Sequence, residues 1–186
     1  MKIKEICNYA SALLGRSDIA NYLKTGDLTT NSEIEKEVEV LVRLSNLVIS
    51  ELAVSYVPFL ATEKATTVNG KLEYEGLKNK VLEIISVKNE LGVEINYLQY
   101  PSHLQTSAVN VEITYTYLPE EFALEQEFDF PDKRITPSII AQAVAGEYYL
   151  IDGYFEKGEM FYENYKNKIN ALYLKRGLRL HGGKYL

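Results

Sequence analysis

Residues 32–58, SEIEKEVEVLVRLSNLVISELAVSYVP, followed by residues 59–75, FLATEKATTVNGKLEYE, contain the change of period on which the fold turns. In the first stretch Ser32 and Glu35 have capping-box spacing, in which each side chain satisfies an otherwise orphan backbone donor. Ile34, Val38, Leu41, Val42, Leu44, Val48, Leu52 and Tyr56 then make a broad apolar stripe at helical spacing. Pro58 ends that helix, because proline lacks the donor and disfavours helix in the residue before it. From about Lys64 the pattern is that of strands. Thr66, Thr67 and Val68 lead into Asn69-Gly70 and then Lys71 to Glu75, and an Asn-Gly pair between such runs signals a type I′ hairpin.

Working outward toward the C-terminus, Val81 to Lys88 is a second β-rich run, and an Asn89 to Gly92 turn leads into Val93 to Tyr100, closed by Pro101. Val109 to Tyr117 alternates, with Val109, Val111, Ile113, Tyr115 and Tyr117 on one face. These runs predict an antiparallel β module of four or five strands. Thr136-Pro137 then starts a helix, with proline at the first position where its missing donor costs nothing. Ile140, Val144, Tyr148 and Ile151 form its apolar line, and Ala141, Ala143, Ala145 and Gly146 leave room for another backbone. A last helix begins near Tyr154, with Phe161, Tyr162, Tyr165, Ile169, Leu172 and Tyr173 turned inward or toward an interface, and Gly177 placed to cap it.

Toward the N-terminus, Ile3, Ile6, Ala10, Leu13 and Leu14 have helical spacing up to Gly15. A second short helix from Ser17 or Asp18 shows Ile19, Tyr22 and Leu23 on one side. The expected class is therefore α+β: a helical subdomain made by both ends of the chain, an inserted antiparallel β module and an extended C-terminal tail. The expected boundaries are 1–60 for the N-terminal helices, 61–118 for the β module, 119–135 for a connector, 136–177 for the C-terminal helices and 178–186 for the tail.

Charge is unevenly placed over the 186 residues. The net charge of −6 equals the six carboxylates between Pro119 and Asp132 (Glu120, Glu121, Glu125, Glu127, Asp129 and Asp132), a segment without Lys or Arg. The last twelve residues run the other way, with Lys175, Arg176, Arg179 and Lys184 and no acid. Such a chain is not coated for wrapping nucleic acid. No apolar run approaches the roughly 20 residues that span a bilayer, and polar residues after Lys2 and Lys4 spoil any signal-peptide core. A single cysteine, Cys7, excludes an intrachain disulfide and a cysteine-cluster metal site, consistent with a reducing compartment.

No nucleophile–base spacing, phosphate loop or HExxH-like pair appears, so neither catalysis, a cofactor nor a metal is expected. Glu120, Glu121, Glu125 and Glu127 read as a solvated acidic connection more readily than as a proton-sharing or cation site. His103 reads as an ordinary loop residue, His181 as part of the basic tail, and Cys7 as a buried small hydrophobe. Of 21 aromatic residues 15 are Tyr, seven of them within residues 148–186. Tyrosine suits both a core whose hydroxyls reach solvent and a surface buried on assembly.

Taken together, these segments resemble the head-to-tail connector (adaptor, or neck) proteins of tailed bacteriophages, including the tail-tube gatekeeper of short-tailed phages. The residues that carry the likeness are Glu51 to Pro58, the strand Val111 to Tyr117 with Leu118-Pro119, and the acidic connector. With them go Ala143 to Gly153, the aromatic helix through Phe161 and Tyr165, and the basic tail from Lys175-Arg176. The resemblance covers roughly residues 30–186. It implies a non-enzymatic virion protein made in the host cytoplasm, assembled as a twelvefold ring between the portal protein and tail or other neck proteins. Its channel would pass double-stranded DNA without specific binding, and no membrane is involved. The implied portal-docking tail comprises Leu178, Arg179, Leu180, His181, Lys184, Tyr185 and Leu186. Candidate interface residues are Tyr148, Tyr149, Tyr154, Tyr162 and Tyr165, and Glu120, Glu121, Glu125, Glu127 and Asp129 form a candidate lumen-facing segment. A tail-completion or stopper protein is the nearest alternative, and a non-viral module that binds a small ligand is the reading from a different class.

Overall fold

The computed structural model describes the backbone of residues 1–25 and 32–180 and the side chains of 1–25 and 32–172. The fold is α+β, in the order α1 (Ile3–Leu13), α2 (Ser17–Thr25), α3 (Ser32–Ser55), β1 (Phe59–Thr66), β2 (Lys71–Glu73), a 3-10 turn, β3 (Val81–Asn89), β4 (Leu98–Gln99), β5 (His103–Gln105), β6 (Asn110–Tyr117), α4 (Pro137–Ile151) and α5 (Phe155–Leu180). The chain divides into a helical unit, residues 1–49 with 121–186, and a β unit, residues 50–120, so the division falls inside α3. The β unit begins earlier than residue 61 because the last six residues of α3 and the start of β1 count with it.

The helical unit is closed by both ends of the chain, with α4 packed against α1 and α5. Ile3, Ile6, Cys7 and Ala10 of α1, Ile140 and Val144 of α4, and Tyr165 and Ile169 of α5 have no exposed surface. Along α3 the stripe faces inward as its spacing demands, with Val38, Leu41, Leu44, Val48 and Leu52 buried. Burial of such a stripe, at about 1.5–3 kcal/mol per large aliphatic side chain, is what holds a helix of this kind in place.

The β unit holds two three-stranded antiparallel sheets, ordered β1-β6-β3 and β2-β5-β4. β6 is the central strand of the first, and its alternation is realised: Val111, Ile113 and Tyr115 are buried. Val109 departs from the expected face and is exposed, since it precedes the strand. β1 starts at Phe59, directly after Pro58, and not near Lys64; Ala61 and Glu63 have weak strand preference, yet burial alternates along the strand. Asn69 and Gly70, with φ of 54° and 75°, make the expected tight turn. The turn joins only a single bridge, Val68 with Lys71, because β1 pairs with β6 and β2 with β5. The run Val93 to Tyr100 supplies only the two residues of β4: Ile95 still donates its N–H to the Val87 carbonyl at 3.0 Å before the chain leaves for the second sheet.

The C-terminal boundary needs a correction. Gly177 does not cap α5, and Leu178, Arg179 and Leu180 are helical, not extended. One glycine costs a helix about 1 kcal/mol, which good helix formers on both sides (Leu174, Lys175, Arg176 and Leu178) offset. His181, Lys184, Tyr185 and Leu186 lie outside the described residues.

Candidate functional site

The acidic connector is anchored on the helical unit by its aromatic residues. Phe128 and Phe130 are buried, and Phe122 stacks on Phe128 with centroids 4.1 Å apart. Asn46 of α3 grips the segment from one side: its amide donates to the Phe122 carbonyl at 3.0 Å and accepts the Phe122 N–H at 2.8 Å. The chain start grips it from the other. Phe128 donates to the Met1 carbonyl at 2.9 Å, Lys4 donates its backbone N–H to Leu124 at 2.9 Å, and the Met1 ammonium reaches the Phe128 carbonyl at 3.1 Å. With the rings turned in, Glu121, Glu125, Glu127 and Asp129 are exposed, as is Glu120 at the end of the β unit. Glu125 is paired with the Lys4 ammonium at 2.6 Å, which holds its carboxyl below the usual range. Asp132 is half-buried and paired with Arg134 at 2.5 Å. The solvated face expected from the sequence is present, but it belongs to an ordered strap and not to a free linker.

The five candidate interface tyrosines do not share one environment. Tyr165 is fully buried, which removes it from any interface: its place on α5 faces the core. Tyr148 is half-buried and donates to Glu37 Oε2 at 2.7 Å, while Arg16 Nη1 donates to the Tyr148 hydroxyl at 3.4 Å. Burial, and then the bond to Glu37, push its phenol up to about 12. Tyr162 is half-buried beneath Lys166, whose ammonium lies 4.7 Å above its ring. Tyr149 stacks on Phe161 at 5.7 Å and meets Tyr154 edge-on at 6.1 Å. The Lys157 ammonium lies over both rings, at 5.3 and 5.5 Å. Tyr154 is 56% exposed, and beside it in sequence at the α4–α5 turn Ile151, Phe155 and Met160 are exposed too. Ile151 was expected on the apolar line of α4, but it is the last helical residue and points to solvent.

The small face of α4 is filled from within the chain. Ala141, Ala143 and Ala145 have no exposed surface, and a Cβ on Gly146 would sit 3.1 Å from the Gly158 carbonyl oxygen of α5. It therefore serves the α4–α5 crossing and offers no surface to a neighbouring subunit.

The remaining candidates carry little chemistry. Cys7 has no exposed surface, and burial pushes its thiol up to about 11, far from a nucleophile's range. His103 stacks on Tyr100 at 4.6 Å, with Ser102 Oγ 3.2 Å from its Nδ1. Among the described residues no group of three or more His, Cys, Asp or Glu is placed to hold a metal ion, and no helix is long and apolar enough to cross a membrane. Sequence reasoning missed Asn46, whose role depends on a partner 76 residues away and leaves no local signal. It also missed Phe155 and Met160, apolar residues in an otherwise charged turn of helix. No protein-family model matches this chain, and no curated protein matches it at a significant level.

Proposed function

We propose that this chain is a structural subunit of a tailed-phage neck, a connector that joins into a ring between portal and tail and extends the DNA channel. What supports the reading is the organisation of the chain: an inserted antiparallel β unit within a helical unit formed by both chain ends, combined with the sequence likeness over residues 30–186. A ring needs two different faces on each subunit. The exposed apolar turn around Ile151, Tyr154, Phe155 and Met160 is suited to one of them. An acidic strap with its carboxylates outward suits a lumen through which DNA must slide, since binding of phosphate is driven by cations and their counterion release. Under this reading the virion neck is the protein's location, the portal is the partner of residues 178–186, and no catalytic step is assigned.

The test is to mix the purified chain with its cognate portal and image the product. A twelvefold ring seated on the portal is expected, and a chain that stays monomeric and ignores the portal would overturn the reading. Removal of residues 178–186 is expected to leave the fold intact and abolish docking; normal attachment of the truncated chain would remove the tail from the scheme.

A further inference from the structure

We infer that a groove over α3 seats the basic C-terminal segment, residues 175–186, of a second copy of this chain. The groove has a volume of about 550 Å³ and is bounded by α2, α3 and the start of the acidic strap. Val38, Val42 and Phe122 give it apolar lining, while Glu35, Glu39 and Glu121 stand around it against one cation, Arg43. No ion pair joins those three carboxylates to a described cation. The wall at Phe122 is fixed in place by the two hydrogen bonds of Asn46, so the groove is a built feature of the helical unit.

Its occupant must combine positive charge with apolar side chains. After Glu163 the chain has no acid, its longest such stretch, and the last part reads KRGLRLHGGKYL, cations alternating with Leu178, Leu180, Tyr185 and Leu186. The exposed α4–α5 turn is apolar as well, but Asp152, Glu156 and Glu159 outnumber Lys157 there, so the groove's carboxylates would repel it. The geometry of α5 favours a second copy over the chain's own groove. α5 has 26 residues against 15 in α4. Arg134, just before α4, donates to the Leu172 carbonyl. Each helical residue beyond Leu172 advances about 1.5 Å along the axis, so Lys175, Arg176 and Arg179 are carried past the beginning of their own α4.

The seat would compete with the portal for the same residues, but it is tested without a portal, so its failure leaves the ring reading standing. A labelled peptide of residues 175–186 is titrated against the full-length chain by fluorescence anisotropy. Binding is expected, weakened about tenfold or more by Glu35→Lys with Glu39→Lys, and weakened by salt. It is expected to be unchanged by Glu156→Lys with Glu159→Lys, a matched pair of exposed acids elsewhere on the same unit. A peptide with Leu178 and Leu180 replaced by Ser is expected to bind about tenfold less tightly, because the lining is apolar. Circular dichroism of the variants checks that each is folded. No binding, equal binding of a scrambled peptide, or equal loss with the control pair would each overturn the proposal.

Discussion

Alanine at Gly146 is the sharpest probe of how the helical unit is packed. In an exposed helix interior, glycine to alanine gains about 1 kcal/mol from backbone entropy. At Gly146 the new Cβ would lie 3.1 Å from the Gly158 carbonyl oxygen, 3.3 Å from the Tyr162 nitrogen and 3.5 Å from Phe161 Cβ. Two of these are backbone atoms of the facing helix, so relief requires α5 to move as a body. Overpacking of this kind costs about 2–3 kcal/mol, at the upper end of the usual range, because a helix and not a side-chain tip must give way. The net expectation is a loss of about 1–2 kcal/mol, a fall of roughly 2–8 °C in Tm for a chain of this length. Urea denaturation should show a lower midpoint at unchanged slope, with the loss visible in hydrogen exchange of the α4 and α5 amides.

Gly158→Ala tests the same crossing from the other side. Its Cβ would meet Leu150 Cγ and Cδ2 at 2.7 Å, so here a side chain is the nearest obstacle, with the Gly146 carbonyl oxygen behind it at 3.1 Å. Combined with Leu150→Ala, its cost should shrink by about 1 kcal/mol or more, a coupling readable from a double-mutant cycle. A Gly146→Ala protein about 1 kcal/mol more stable than the parent would refute the reasoning. So would strict additivity of Gly158→Ala with Leu150→Ala. If the small face of α4 instead met a neighbouring subunit, Gly146→Ala would stabilise the isolated chain and impair only assembly, which separates the two uses of these residues.

Tyr148→Phe removes the bond to Glu37 and with it a pH dependence. The folded-state phenol titrates near 12, above its ordinary value of 10, so its contribution is complete below pH 10 and disappears as the pH rises toward 12. Urea midpoints of parent and variant should therefore converge between those two pH values, and parallel curves would count against it. Cys7 should resist a thiol reagent at pH 8 in the native protein and react fully in denaturant, since it is buried and its thiol is pushed up to about 11. Rapid native labelling would place Cys7 in an open site. Glu63→Gln should destabilise the β unit by about 1–2 kcal/mol, because the carboxylate accepts the Lys78 N–H on both oxygens at 3.2 Å and the Tyr115 hydroxyl, charge-assisted bonds that an amide only partly replaces. Amide exchange at Lys78 should accelerate, and an unchanged rate would exclude this role.

What the sequence made legible was whatever local spacing controls. The helix from Ser32, the proline start of α4 and the alternation of β6 follow from periodicity and proline chemistry, and each is present. Strand partners were not legible, because pairing β1 with β6 joins residues about 50 apart and nothing at Thr66 announces Asn110. The strap was half legible: its carboxylates were visible as a charge run, but only packing shows that Phe122, Phe128 and Phe130 tie it down. Tyr165 was misread for the opposite reason. Helical spacing marks a face as apolar without saying whether that face meets the chain itself or another chain, and tyrosine is common in both settings.

The two edges of the larger sheet narrow where association can occur. β3 carries irregularities between Val81 and Glu83 and between Ile84 and Ser86, and bulges of this kind twist an edge out of register with an incoming strand. β1 is regular along all eight residues and carries Glu63 and Lys64 just past its midpoint. Two β1 strands meeting antiparallel about either of these residues, with each sheet face kept on its own side, would set Glu63 against Glu63 or Lys64 against Lys64, and like charges directly opposite destabilise a pair. Sheet addition between copies is thus opposed along β3 and in those registers of β1. The helical unit has no such guard: its acidic groove and the basic segment from Lys175 differ in charge and complement each other, and two unlike faces are what a heterologous, ring-closing contact requires. Self-association that survives charge reversal at Glu35 and Glu39 and replacement of Phe155 by Ser, yet fails on addition of a strand-mimicking peptide, would move the contact back to the sheet.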